Sequence, residues 1–167
     1  MKTKNLVYSA LLLSLGIILP SLTHTLGPLG TVVLPMHIPV FLSGIIIGPM
    51  YGACIGLMLP LLNHFILGMP PIPMLYIMIF ELLTYGIISG LVFRKTNNVL
   101  ISLLVSMISG RIVGALIAFI LFYILGLSKI SPVFWIYGSI ITGLPGIIIQ
   151  LILIPIISNV IIKNKAK

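Results

Sequence analysis

Two charged side chains set deep in apolar sequence carry the sharpest chemistry of this chain. Glu81 is the single acidic residue of the protein, and Arg111 stands in the middle of an uninterrupted apolar run. Charge in such surroundings is expensive and is retained where it is paired or functional. Two roles are open to Arg111 and do not exclude each other. It can close an ion pair with Glu81 that locks two helices, since a buried charge needs a partner whatever its role. It can also anchor a substrate anion through a bidentate contact with a carboxylate or phosphate. Tyr85 lies one helical turn from Glu81 on the same face. His37, Asn63 and His64 complete the set of candidate substrate-binding residues, although a histidine at a helix start also has a purely structural reading.

The chain lacks the motifs of an energy-consuming or hydrolytic enzyme. No G-x-x-x-x-G-K-[ST], no H-E-x-x-H and no G-x-S-x-G occurs in it, so no phosphate loop, zinc-hydrolase helix or nucleophile elbow is expected. The single cysteine, Cys54, rules out an intrachain disulfide and a multi-cysteine metal centre. The expectation is a protein that is not an enzyme, with no catalytic residues, no metal and no cofactor.

The elements that must position these side chains follow from composition. Of 167 residues, 60% are hydrophobic and 6% charged, far below the roughly 25% charge of a soluble domain. Backbone groups in lipid must be satisfied within the segment, and the runs lack the two-residue alternation of a membrane barrel. The sequence therefore predicts an all-α integral membrane protein, a compact six-transmembrane-helix bundle forming a single domain over residues 1–167. The predicted helices cover about 5–22, 36–48, 50–67, 73–93, 99–125 and 134–162. The basic start followed by the first apolar run has the outline of a signal peptide, but no small-x-small site follows, and it is read as the first helix.

The net charge of +8 does not indicate nucleic-acid binding, because the basic residues sit in gaps between apolar runs. With six spans, Lys2, Lys4, Arg94, Lys95, Lys163, Lys165 and Lys167 fall on one side and Lys129 on the other. The positive-inside rule then makes both termini cytoplasmic in a multi-pass protein of the plasma membrane. On that topology Arg111 lies roughly 18 Å in from the cytoplasmic end of its helix, and Glu81 about 12 Å from the opposite surface, at about 1.5 Å per residue. In a core of about 30 Å the two depths coincide, in the outer half. If the charges pair only with each other the pocket is neutral and suits a neutral heterocycle; if Glu81 is held elsewhere, Arg111 is the ligand's anchor. The depth of Gln150 is not fixed by its long helix.

Small residues recur at four-residue spacing at Gly44, Gly48, Gly52 and Gly56, and again at Gly110, Gly114 and Ala118. Such rows let helices approach closely in lipid. Trp135, Tyr137 and Phe134 are read as an interfacial aromatic belt. Met36, Met50, Met58, Met69, Met74 and Met78 are read as core and lining residues.

The chain resembles the substrate-binding S components of energy-coupling factor (ECF) vitamin transporters. The matching features are the basic start with Ala10-Leu-Leu-Leu-Ser14, then P-M-H-I-P-V at 35–40, G-P-M-Y-G at 48–52 and G-M-P-P at 68–71. E-L-L-T-Y-G at 81–86, G-R at 110–111 and L-P-G-I-I-I-Q at 144–150 extend the match over nearly the whole chain. The resemblance implies capture from outside of a vitamin or related metabolite, in a pocket closed by the loops between helices 1–2, 3–4 and 5–6. It also implies docking on a transmembrane T component with two cytoplasmic ATPase subunits. In that family, small residues in helix 1 pack on the T component; Ala10 and Ser14 hold those positions here, with Ser14 a conservative departure. The rival reading is a self-sufficient proton-coupled secondary transporter or channel using Glu81, with a membrane enzyme third.

Overall fold

The computed structural model describes residues 2–24, 34–127 and 131–165. Among them there are six α-helices and no strand. They are α1 Lys2–His24, α2 His37–Ile46, α3 Pro49–Leu67, α4 Met74–Thr96, α5 Val99–Phe119 and α6 Pro132–Lys165. A π-helical turn, Ile120–Ile124, prolongs α5. Residues 25–33, Lys129 and Lys167 lie outside the described residues, so most of the α1–α2 loop and the Lys129 position do too.

Five of the helices are long and apolar enough to cross a membrane. The exception is the helix at the expected span 36–48, which is present but short. α2 has 10 residues, about 15 Å at 1.5 Å per residue, or half a hydrocarbon core. It is also the most enclosed element: Val40 and Phe41 are fully buried, and α2 touches α1, α3, α4, α5 and α6. A helix shielded from lipid by protein does not need full membrane length.

Sequence signals fix most of the other ends. Gly48 ends the α2 hairpin at φ +134°, which a side chain would strain, and Pro49 follows at the first turn of α3. Asn97, in the left-handed conformation, closes α4 at Thr96, one turn's fraction beyond the expected Phe93. Asn98 caps α5 by accepting from the Ile101 N–H at 3.2 Å. Ser131 Oγ accepts from the Phe134 N–H at 3.3 Å at the start of α6.

The glycine row of the sequence is divided by the turn at Gly48. Gly44 on α2 and Gly52 and Gly56 on α3 face α4, where a methyl on any of them would strike the backbone of Gly86, Gly90 or Leu82. Backbone packs on backbone across α2, α3 and α4, as small residues permit in lipid. The second row behaves differently: Gly110 and Gly114 of α5 leave room for rings, not for a neighbouring backbone, with Tyr85 against the first and Trp135 against the second. Around this centre, Leu and Ile side chains of α1, α5 and α6 stand exposed, as suits surfaces solvated by lipid.

Candidate functional site

Glu81 and Arg111 meet. α4 and α5 run side by side, and Arg111 Nη1 lies 2.9 Å from Glu81 Oε1. The Tyr85 hydroxyl donates to the same oxygen at 2.5 Å, which the four-residue spacing on α4 makes possible. The side chains differ in access: Glu81 is 3% exposed and Arg111 22%. Glu81 thus holds two donors on one oxygen, while the arginine side chain stays partly exposed and lines a cavity. A methyl at Gly143 of α6 would stand 3.3 Å from Arg111 Nη2, so the arginine reaches from α5 to the neighbouring helix.

His37 joins this group at the first turn of α2. Its backbone N–H donates to the Leu34 carbonyl at 3.1 Å, and its ring centroid is 5.5 Å from that of Tyr85. Phe41, one turn on, packs on the other part of Tyr85 at 4.8 Å. His37 is buried, yet among the described residues its Nδ1 has no hydrogen-bond partner. A buried polar atom left so is costly unless something supplies a partner.

Glu81, Arg111 and His37 form the floor of a cavity of about 330 Å³. Its walls come from three places: Pro35–His37 before and in α2, Met69–Pro71 between α3 and α4, and Trp135, Ser139, Thr142 and Gly143 on α6. Pro20 and Thr23 of α1 close the fourth side, and Met74 and Met78 of α4 rise from the floor. The lining is mostly flat apolar surface with a few convergent polar groups, the composition of a small-molecule pocket.

Trp135 belongs to this wall and not to the expected aromatic belt. It is 6% exposed, its ring rests on Gly114, and its indole N–H points to Met74 Sδ at 3.4 Å. Phe134 and Tyr137, by contrast, are 71% and 65% exposed and do face outward. The signal was present in the sequence: Trp135, Ser139 and Thr142 are spaced i, i+4, i+7 and so share one helix face.

The remaining candidates have other surroundings. Asn63 does not line this cavity; its Nδ2 donates to the Gly16 carbonyl of α1 at 3.1 Å and to the Leu59 carbonyl at 2.9 Å. His64 bonds through Nδ1 to the Pro70 carbonyl at 2.8 Å, which places the proton on Nδ1 and braces the Met69–Pro71 wall from behind. Tyr85 supports Glu81 from below the floor. Gln150 is buried, with Nε2 3.4 Å from the Leu34 carbonyl. Ala10 and Ser14 lie far along α1 on an exposed face, where the Ser14 hydroxyl donates back to the Ala10 carbonyl at 2.9 Å.

A second cavity, about 460 Å³, lies between α5 and α6 and shares Leu34, His37 and Arg111 with the first. Its other walls are almost entirely aliphatic, with Tyr85 and Gln150 at its inner end.

Comparison with known proteins adds one finding. The family model described as "ECF transporter, substrate-specific component" matches residues 4–158. No curated protein and no solved structure matches the chain.

Proposed function

The chain belongs to the substrate-specific components of ECF transporters, multi-pass membrane transport proteins and not enzymes, and from that premise we propose that the cavity above Arg111 and Glu81 is its substrate site. The observation that carries this reading is the asymmetry of the pair. Glu81 is enclosed and takes both Arg111 and Tyr85 on one oxygen, while Arg111 keeps donors open toward the cavity. A guanidinium has five N–H donors, and those not given to Glu81 suit an acceptor edge of the ligand, a carboxylate or a ring carbonyl. Because the pair is itself neutral, the ligand need carry no net charge. His37 Nδ1 supplies a further hydrogen-bonding atom, and Trp135 with the surrounding prolines and thioethers supplies flat apolar walls for a ring. A vitamin or related small heterocyclic metabolite fits this combination.

The cavity opens to the outside in this reading. Lys4, Arg94, Lys95 and Lys163 each lie near one end of α1, α4 or α6, while the opposite ends of those helices contribute Pro20, Thr23, Met74 and Trp135 to the cavity. The basic ends mark the cytoplasm. α2 supports an even number of passes despite its length, because its Gly48 end lies against Arg94 while its His37 end reaches the cavity. Both termini are then cytoplasmic.

Uptake is driven by partners. Among the described residues α1 packs mainly on α2 and α3, and its open face carries Ala10 and Ser14 beside exposed Val7, Leu11 and Ile18. Small residues in such a face let a second helix approach closely, and this is where a transmembrane T component, with its two cytoplasmic ATPase subunits, docks. The proton-coupled alternative draws no support from Glu81, which is already committed to Arg111 and Tyr85.

Native mass spectrometry of the purified protein tests the reading. A small molecule retained by the wild type and lost from Arg111→Met supports it; a molecule retained equally by a folded Arg111→Met protein overturns it.

A further inference from the structure

The second cavity has a polarity that constrains what can fill it. Its mouth, between α5 and α6, is formed by Leu104, Ile108, Ile112, Ile136 and Ile140, all partly exposed on the lipid-facing surface. Its inner end is polar: Arg111 and the buried side chains of His37, Tyr85 and Gln150 meet there. A bilayer lipid has the opposite arrangement, with its headgroup at the interface and its chain terminus in the core. An acyl chain entering from the bilayer would bring its methyl end against Arg111, which lies about 18 Å from the Val99 end of α5 at 1.5 Å per residue. The cavity suits an occupant whose polar group sits deep inside and whose apolar chain points outward.

The first cavity supplies the route for such a molecule, because the two cavities share Leu34, His37 and Arg111. Arg111 keeps donors that Glu81 does not take, and His37 Nδ1 is buried at the same junction without a partner among the described residues. Both are groups that a ligand's polar head would satisfy. We propose that the second cavity is a subsite for an apolar chain of the transported molecule, so that the substrate is an amphiphile with an acceptor head at Arg111 and an unbranched hydrocarbon arm lying between α5 and α6. This rests on the assignment of the substrate site above and narrows it to a ligand class.

Straight-chain carboxylates test the subsite directly. Trp135 is the only tryptophan of the chain and lines the first cavity, so its fluorescence reports occupancy in protein reconstituted into lipid nanodiscs. Titration with butanoate, hexanoate and octanoate is expected to give a saturable change whose affinity rises about fourfold per methylene, the increment for burying one CH₂. Ile108→Phe combined with Ile140→Phe fills the mouth at lipid-facing positions and should flatten that increment, while partitioning of the probes into the bilayer stays the same. Arg111→Met should abolish the saturable change for every chain length. Affinity independent of chain length, an increment unaltered in the double phenylalanine variant, or no saturable change with any carboxylate overturns the subsite. If the increment is absent while Arg111→Met still removes the co-purified molecule, the first cavity stands as the substrate site without the second; if that molecule is also indifferent to Arg111→Met, both fall.

Discussion

The indole of Trp135 on α6 lies against Gly114 on α5, with the ring in a space that no side chain occupies. A methyl at Gly114 would stand 2.7 Å from the ring's far edge, so the glycine sets how far Trp135 withdraws from the cavity it lines. Gly114→Ala should force the ring toward the ligand. Overpacking of this kind costs about 1–3 kcal/mol, and substrate affinity should fall about tenfold with little change in expression. Isothermal titration with the co-purified ligand checks this; unchanged affinity would mean that the ring has room to move elsewhere.

Asn63 provides the contrasting case. Its amide ties α3 to the Gly16 carbonyl of α1, away from both cavities. Asn63→Leu should lower the midpoint of thermal unfolding, by a loss on the order of 1 kcal/mol for one interhelical bond in a membrane, and leave ligand affinity as it was. Weakened binding in a protein of normal stability would return Asn63 to the pocket.

The outline of the fold was legible because hydropathy reports helices in lipid directly, and five of the expected spans have the required length. The sixth expected helix, at 36–48, is present as α2 but is shorter than a full span. Periodicity and run length cannot tell a half-length helix wrapped by protein from one that meets lipid, and α2 is wrapped on all sides. Depth arithmetic brought Glu81 and Arg111 to one level, and the two are in contact. It could not separate His37, which faces the cavity, from Asn63 and His64 at a similar level, because depth along the membrane normal says nothing about rotation around a helix. Trp135 was misread for a related reason: its neighbours Phe134 and Tyr137 do face outward, and only the shared face with Ser139 and Thr142 distinguishes it.

Ala10→Trp and Ser14→Trp should abolish ATP-driven uptake by the assembled transporter while the isolated protein binds ligand normally. Both positions are exposed on α1 and remote from the cavities, and a bulky side chain there blocks close helix approach. Parallel uptake and binding assays decide the point. Equal loss of binding would tie Ala10 and Ser14 to the pocket and not to a partner.

Topology can be read by cysteine accessibility in a Cys54→Ser background. Single cysteines at Lys95 and Lys163 should react with membrane-impermeant maleimide only after the membrane is opened, and one at Tyr137, exposed beside the Trp135 wall, should react from outside. Labelling of position 163 in intact cells would contradict the cytoplasmic placement of the termini.

The affinity of the co-purified ligand for Arg111→Met and for Arg111→Met/Glu81→Gln tests the central claim most directly. Truncating one partner of a buried charge-assisted contact costs about 2–5 kcal/mol, so Arg111→Met should lose about 30-fold or more in affinity. The second substitution removes the carboxylate left unpaired and should restore folding, but the double variant should still fail to bind, because the ligand's own donor is gone. A folded double variant that binds like the wild type would contradict the account, and would show that the Arg111–Glu81 contact serves only to hold α4 and α5 together.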